Sequence, residues 1–285
     1  SVIGNFGVKH MKTMDFGHIQ KEFNETLENI ENSLKNDVSL SFWKRNTNRV
    51  IILNYFQIAK IYFDSLILIC ELNTKLSISS PAISRSILEM LFSTIYLLSD
   101  IDLKVFSLAK TIHRERMREI KELEKLNYDM TYEKEFNNSW SDYLENLYSD
   151  LLPANFDWTT NSERFPTLTK ITDIFKVISP KTNKFLDFLL VRHYRVLSID
   201  SHIEAWRIAK LTRTLNGEDD GTLLQYKNEQ LWFGFVFILA IASEIEANLK
   251  YGNREKLTYF WTLFSELCNP AKEIYELRYK ELLSY

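Results

Sequence analysis

The amino-acid sequence predicts an all-α protein, a multi-helix bundle built around long central helices. Three observations carry that prediction. Seven Gly and five Pro in 285 residues leave little material for hairpins, bulges or phosphate-cradling loops. Apolar residues recur at three- and four-residue steps along most of the chain. A composition of 45% hydrophobic and 26% charged residues lies in the ordinary globular range and suffices for a sizeable core.

Residues 1–12 read as an irregular leader or an expression remnant, and residues 13–285 as one helical domain. From Asp15 to Leu34 the positions Phe16, Ile19, Phe23, Leu27, Ile30 and Leu34 define one amphipathic helix, with Asn36 and Asp37 expected to end it. A second helix is expected from about Ser41 to Leu72. Its latter half, Ile58 to Cys70, is apolar nearly all round and reads as central. Ser79-Ser80-Pro81 is a helix start, because a serine cap satisfies free amides and proline at the first position loses no hydrogen bond. The helix that follows, Pro81 to Leu98, carries Arg85 and Glu89 at i and i+4. As a surface pair these are worth a few tenths of a kcal/mol, the Arg-first order being the weaker one. Among so many apolar neighbours they read as partly buried, where charges persist only when paired. Structural pairing is the simpler reading; a role beside an active face is the other.

Asp102 to about Asn127 reads as a further helix with Leu103, Phe106, Leu108, Ile112, Met117, Ile120 and Leu123 inward. Its segment His113 to Glu119 reads as a charge-rich outer face. Tyr128 to Thr160 is less regular, with a shorter helix through Trp140 and Tyr143. Residues 153–166 read as a lid or boundary loop. A short helix is expected from Thr167 to Ile178, stopped by Ser179-Pro180, and a longer one from Asn183 to about Leu215. Asn216 to Gly221 turns the chain, and its spacing does not fit a calcium loop. Leu223 to Tyr251 holds the most apolar run, Leu231 to Ala242. At about 12 residues this is short of the roughly 20 needed to span a bilayer, so a buried central helix is expected rather than a membrane span. Arg254 to Leu267 and Ala271 to Leu283 make a last pair around Asn269-Pro270.

Several chemistries are excluded by pattern. There is no Gly-rich phosphate loop, His-Glu-x-x-His, Gly-x-Ser-x-Gly elbow or Glu-x-x-His pair. Cys70 and Cys268 stand alone in apolar settings and read as reduced, buried thiols of a cytoplasmic protein. No metal or other cofactor is expected. A net charge of −3 argues against a protein that coats nucleic acid non-specifically, though it allows a local basic groove.

What stands out is the stretch Tyr194 to His202. On a helix, Arg195, Ser198 and His202 occupy i, i+3 and i+7 and share one stripe, with Tyr194 four residues before Ser198. An arginine supplies a permanent cation for a phosphate, and a histidine a group that titrates near neutrality. On RNA the pair can work without metal. The two are about 10 Å apart along the axis, so the arginine must lean toward the histidine or a symmetric dimer must bring two stripes together. Arg192, Arg207, Lys210 and Arg213 are the candidates for a basic rim on the RNA backbone. The plainer alternative is a structural histidine bonded within the bundle. In either case Tyr194 to His202 is expected to face Arg85 and Glu89.

Tyr194-x3-Ser198-x3-His202, together with Arg85-x3-Glu89 on a Pro-started helix, resembles a group of uncharacterised bacterial all-helical proteins. That group is similar to the HEPN superfamily (higher eukaryotes and prokaryotes nucleotide-binding), and the likeness covers roughly Ser41 to Leu249. Active HEPN members carry Arg-x4-6-His and are metal-independent endoribonucleases of toxin, abortive-infection and antiviral systems. The resemblance implies Arg195 and His202 as the catalytic pair, with Arg85, Glu89, Tyr194 and Ser198 as supporting polar positions. Val196 departs from the polar residue that often follows the HEPN arginine. The expectation is an endoribonuclease in bacterial anti-phage defence or a toxin system, acting on RNA as a homodimer beside a partner protein of that system. The alternative is a non-catalytic sensor, inhibitor or antitoxin-like module that binds a protein or small ligand.

Overall fold

Long amphipathic runs with almost no Gly or Pro to interrupt them fold into helices throughout. The computed structural model describes residues 16–39, 47–72, 78–147, 149, 165–201, 212, 216 and 220–284. The elements are α1 (Phe16–Ser39), α2 (Thr47–Leu72), α3 (Ser80–Leu98), α4 (Ile101–Lys125), α5 (Thr131–Leu147), α6 (Leu168–Ile178) and α7 (Pro180–Leu189). A π turn (Leu190–Tyr194) leads into α8 (Arg195–Ser201), followed by α9 (Asp220–Leu249), α10 (Arg254–Leu267) and α11 (Asn269–Ile274). A second π turn (Tyr275–Tyr279) and α12 (Lys280–Leu282) complete the chain, and no strand occurs among the described residues. The all-α expectation is met.

Helix α3 lies at the centre, packed against α2, α9 and α8. It buries Ile87, Leu88, Leu91 and Phe92, and α9 is buried on every side from Gly234 to Glu246. The expected central helix is therefore present. Helices α2 and α9 meet closely at Gly234, where a Cβ would lie 2.5 Å from Leu66 Cδ2, so any larger residue would have to push the buried Leu66 side chain aside. Core residues on both sides of the 153–164 segment join one hydrophobic cluster, among them Phe23, Phe63, Phe185 and Trp261. That segment itself, most of the expected lid, lies outside the described residues.

Other expectations need correction. Asn36 and Asp37 do not end α1, which continues to Ser39. Asp37 instead accepts hydrogen bonds from Arg49 and, at 2.5 Å, from the Tyr251 hydroxyl, so its carboxylate ties α1 to α2 and to the end of α9. Ser79 makes no capping hydrogen bond, and the start of α3 rests on Pro81. On α4, His113 turns inward and is buried while Leu103 and Ile112 are exposed; burial pushes the His113 ring below its usual range. Most consequentially, the latter half of α2 is not enclosed. Helices α1, α3 and α9 pack against α2, yet Ile58, Ile61, Leu68 and Leu72 remain 42%, 62%, 56% and 68% exposed.

Cys70 is buried and Cys268 half-buried, both are free thiols, and burial pushes each up to about 11. Among the described residues, two helices, Arg49–Leu72 and Tyr226–Leu249, are long and apolar enough to cross a membrane. The apolar window of the second is 83% buried inside the protein and that of the first 39%.

The sequence gives no hint of the use made of Glu244, which is buried on α9. Arg278, in the second π turn, donates to both its carboxylate oxygens, from Nη2 at 2.8 Å and from Nε. A third bond runs from Nη1 to Thr182 Oγ1 of α7 at 3.0 Å. Removing one partner strands the other charge, whereas removing both does not. Arg278→Met should cost about 3–5 kcal/mol in urea denaturation, and Arg278→Met combined with Glu244→Leu should recover most of that loss.

Candidate functional site

The site begins with spacing. Arg85 and Glu89 lie one turn apart on α3 and therefore share a face. Arg85 Nε donates to Glu89 Oε1 at 2.9 Å. Across the bundle, the turn containing Tyr194 packs where this face can reach it. The Tyr194 hydroxyl accepts from Arg85 Nη2 at 2.9 Å and donates to Glu89 Oε1 at 3.1 Å. The guanidinium carbon also stands 5.0 Å from the centre of the tyrosine ring. The three side chains thus close a triangle of hydrogen bonds with a cation–π contact on one edge. The expected meeting of Tyr194 with Arg85 and Glu89 is present.

Electrostatics fix the role open to each group. Burial, and then the Glu89 carboxylate, hold the Tyr194 hydroxyl above the usual phenol range, with Arg85 opposing. Tyr194 is therefore a neutral hydroxyl at neutral pH and cannot serve as a base. Partial burial disfavours the charge on Arg85, but its bond to Glu89 and the charge of that carboxylate outweigh the cost and hold it above its ordinary range. The Arg85 and Glu89 side chains keep 27% and 39% of their surface, so the cluster sits at the rim of the core rather than inside it.

The backbone that delivers Tyr194 is a π turn. Arg195 N–H donates to Leu190 O, five residues back, and the wider turn absorbs one extra residue. Beyond it, α8 carries Arg195, exposed, and Ser198, half-buried. Arg192, in the π turn, is also exposed. His202, Arg207, Lys210 and Arg213 lie outside the described residues, so the expected pairing of Arg195 with His202 is not among the contacts here. No group of His, Cys, Asp or Glu that could hold a metal occurs among the described residues.

Sequence reasoning missed His193. This ring is 3% exposed and has Phe188, Phe233 and Phe237 at centroid distances of 5.5, 5.5 and 5.9 Å. Its Nε2 finds no hydrogen-bond partner among the described residues. The available signal was its place in the apolar stripe Leu186, Leu189, His193, Leu197, whose four members are all buried. Burial, to which the Arg192 charge adds, pushes the ring down to about 3.

No protein-family model, no curated protein and no solved structure matches the chain. The likeness to HEPN proteins thus stands only on the residues quoted for it.

The His193 shift has a definite sign. Below its ordinary value of about 6.5 the unfolded chain binds a proton that the folded chain refuses until about pH 3. Stability is therefore intact above pH 6.5 and falls by about 1.4 kcal/mol per unit as pH drops through that window. His113 adds a loss of the same sign. His193→Phe should flatten the urea-denaturation stability profile between pH 6 and 4 by close to one proton's worth of slope. An unchanged slope would show that the ring is protonated in the folded protein.

Proposed function

We propose that the chain is a HEPN-like, metal-independent endoribonuclease of a bacterial defence or toxin system, with the Tyr194 to His202 segment as its working face. One observation carries the reading. Arg192 and Arg195 are both exposed on either side of Tyr194, and Tyr194 is held on α3 by Arg85 and Glu89. A cationic helical face is thereby pinned to the most central helix of the fold, and pinning is what positioning a phosphate needs.

In this reading Arg195 neutralises the scissile phosphate as negative charge grows on it. His202 takes the proton from the 2′-hydroxyl, O2′ bonds to phosphorus, and the bond to the 5′-oxygen breaks as that oxygen gains a proton. The products are a 2′,3′-cyclic phosphate and a 5′-hydroxyl. Ser198, three residues after Arg195 and four before His202 in sequence, is the group to hold the imidazole tautomer. Tyr194 has its hydroxyl committed to Glu89 and acts as an anchor. Were the helix to continue to His202, the two residues would stand about 10 Å apart along its axis, which a homodimer with two apposed faces would accommodate.

A second reading is favoured by the recurrence of the same tie elsewhere. Asp37, Arg49 and Tyr251 meet as another carboxylate, arginine and tyrosine with an evident structural task. On that reading the chain is a non-catalytic interaction module and His202 is a structural residue.

Incubation with an RNA substrate and mapping of the ends separates the two. The proposal expects 2′,3′-cyclic phosphate ends, with cleavage slowed about 100-fold or more in Arg195→Ala and His202→Ala at unchanged melting temperature. Full cleavage by either variant overturns the assigned roles. Intact RNA with wild-type protein, together with a destabilised His202→Ala, establishes the module instead.

A further inference from the structure

We infer that the outer face of α2 is a docking surface for an amphipathic helix of a partner protein, one whose apolar stripe is flanked by basic residues. The inference is independent of the catalytic reading. It starts from the row Asn54, Ile58, Ile61, Ser65, Leu68 and Leu72, which is exposed except for the half-buried Ser65 and advances in steps of four, three, four, three and four. This is a seam of period 3.5, and four of its six members are large aliphatic residues that remain exposed and that nothing among the described residues encloses. A 3.5-residue seam is complementary to a second helix supercoiled along it, knob by hole. A groove for a small ligand has no need of such a repeat, and three heptads of it on a solvent-facing helix ask for a helical occupant.

Charge decides which helix. Beside the seam, Gln57, Asp64 and Glu71 form the neighbouring row at seven-residue intervals. Asp64 and Glu71 are exposed, and Asp64 has no hydrogen bond or ion pair among the described residues. Glu28 and Glu31 of α1 add their negative field at Asp64. The charge of Glu31 is answered by Lys60 and Lys35, each at 2.6 Å, and by Gln57 at 3.0 Å. Asp64 has only the more distant field of Lys60 to offset its two glutamates. Partial burial and these neighbours hold its carboxyl above the usual range, so a cation brought beside it is stabilised. The flanking rows of a helix pair are where partner choice is set. An antiparallel second copy of α2 would bring like charges together at Asp64, and an anionic lipid surface would meet the same acidic row. A helix with Lys or Arg beside its apolar stripe meets opposite charge at Asp64 and Glu71.

The test uses the full chain and a fluorescein-labelled synthetic helix of about three heptads, with Leu at its seam and Lys at both flanking positions. A second peptide replaces each Lys with Glu. Fluorescence anisotropy should show the Lys peptide binding at least about 10-fold more tightly than the Glu peptide. Ile61→Glu with Leu68→Glu should abolish binding. Asp64→Lys with Glu71→Lys keeps the apolar seam and should reverse the preference. All four positions are solvent-facing, so circular dichroism should show both variants folded. Equal affinity for the two peptides, or binding that survives Ile61→Glu with Leu68→Glu, overturns the proposal. So does a dimer in sedimentation that this variant dissociates, or wild-type binding to phosphatidylglycerol vesicles that it removes.

Discussion

Helix α3 answers two demands that pull its sequence in different directions. Packed between α2 and α9, it must be apolar on most of its surface, and Ile87, Leu88, Leu91, Phe92, Ile95 and Leu97 meet that demand. On the remaining strip it keeps Arg85 and Glu89, two charges that a half-buried position tolerates only when satisfied. Tyr194 supplies what is missing, accepting from one and donating to the other. Because α3 is anchored by its long neighbours, whatever is bound to its polar strip inherits that rigidity. The π turn and α8 are held in this way, and Leu197, buried one turn beyond Tyr194, adds an apolar contact to the polar one.

The two π turns sit at comparable places. One delivers His193 inward and Tyr194 toward α3; the other delivers Arg278 to Glu244 and buries Tyr279. In both, a polar side chain is placed into or beside the core at a helix irregularity. The fold repeatedly combines arginine, carboxylate and tyrosine to fasten one helix to another. Such ties are geometrically demanding and make few alternative contacts, so they select one arrangement of helices that are otherwise joined by interchangeable aliphatic side chains. What sets the Tyr194 tie apart is its setting. It lies at the rim, between two exposed arginines, whereas the Arg278 tie is enclosed.

Much of this architecture is legible in the sequence because amphipathic periodicity survives without alignment. Phe23, Leu27, Ile30 and Leu34 announce α1, and Ser179-Pro180 marks the stop between α6 and α7. The polar rows on α3 and α8 are readable as well, since residues four apart must share a face. Periodicity reports which residues are apolar and not which apolar face finds a partner. For that reason Ile58 to Cys70 reads as buried all round, although the described residues supply neighbours for only part of its surface. Single polar residues in apolar stripes mislead in the opposite direction. His193 and Glu244 occupy core positions because of partners far away in sequence, Phe233 and Phe237 around the one and Arg278 on the other. A π turn adds one residue to a helical repeat and leaves no compositional mark, so neither was expected.

The central claim is that the Tyr194 tie fixes the cationic face of α8 on α3. A double-mutant cycle between Tyr194→Phe and Glu89→Gln, read as urea-denaturation free energies, measures that tie directly. A coupling of about 0.5–1.5 kcal/mol, the net worth of a hydrogen bond in a folded protein, is the result the account predicts. Losses that add to within about 0.3 kcal/mol would contradict it, because residues that do not interact behave in that way.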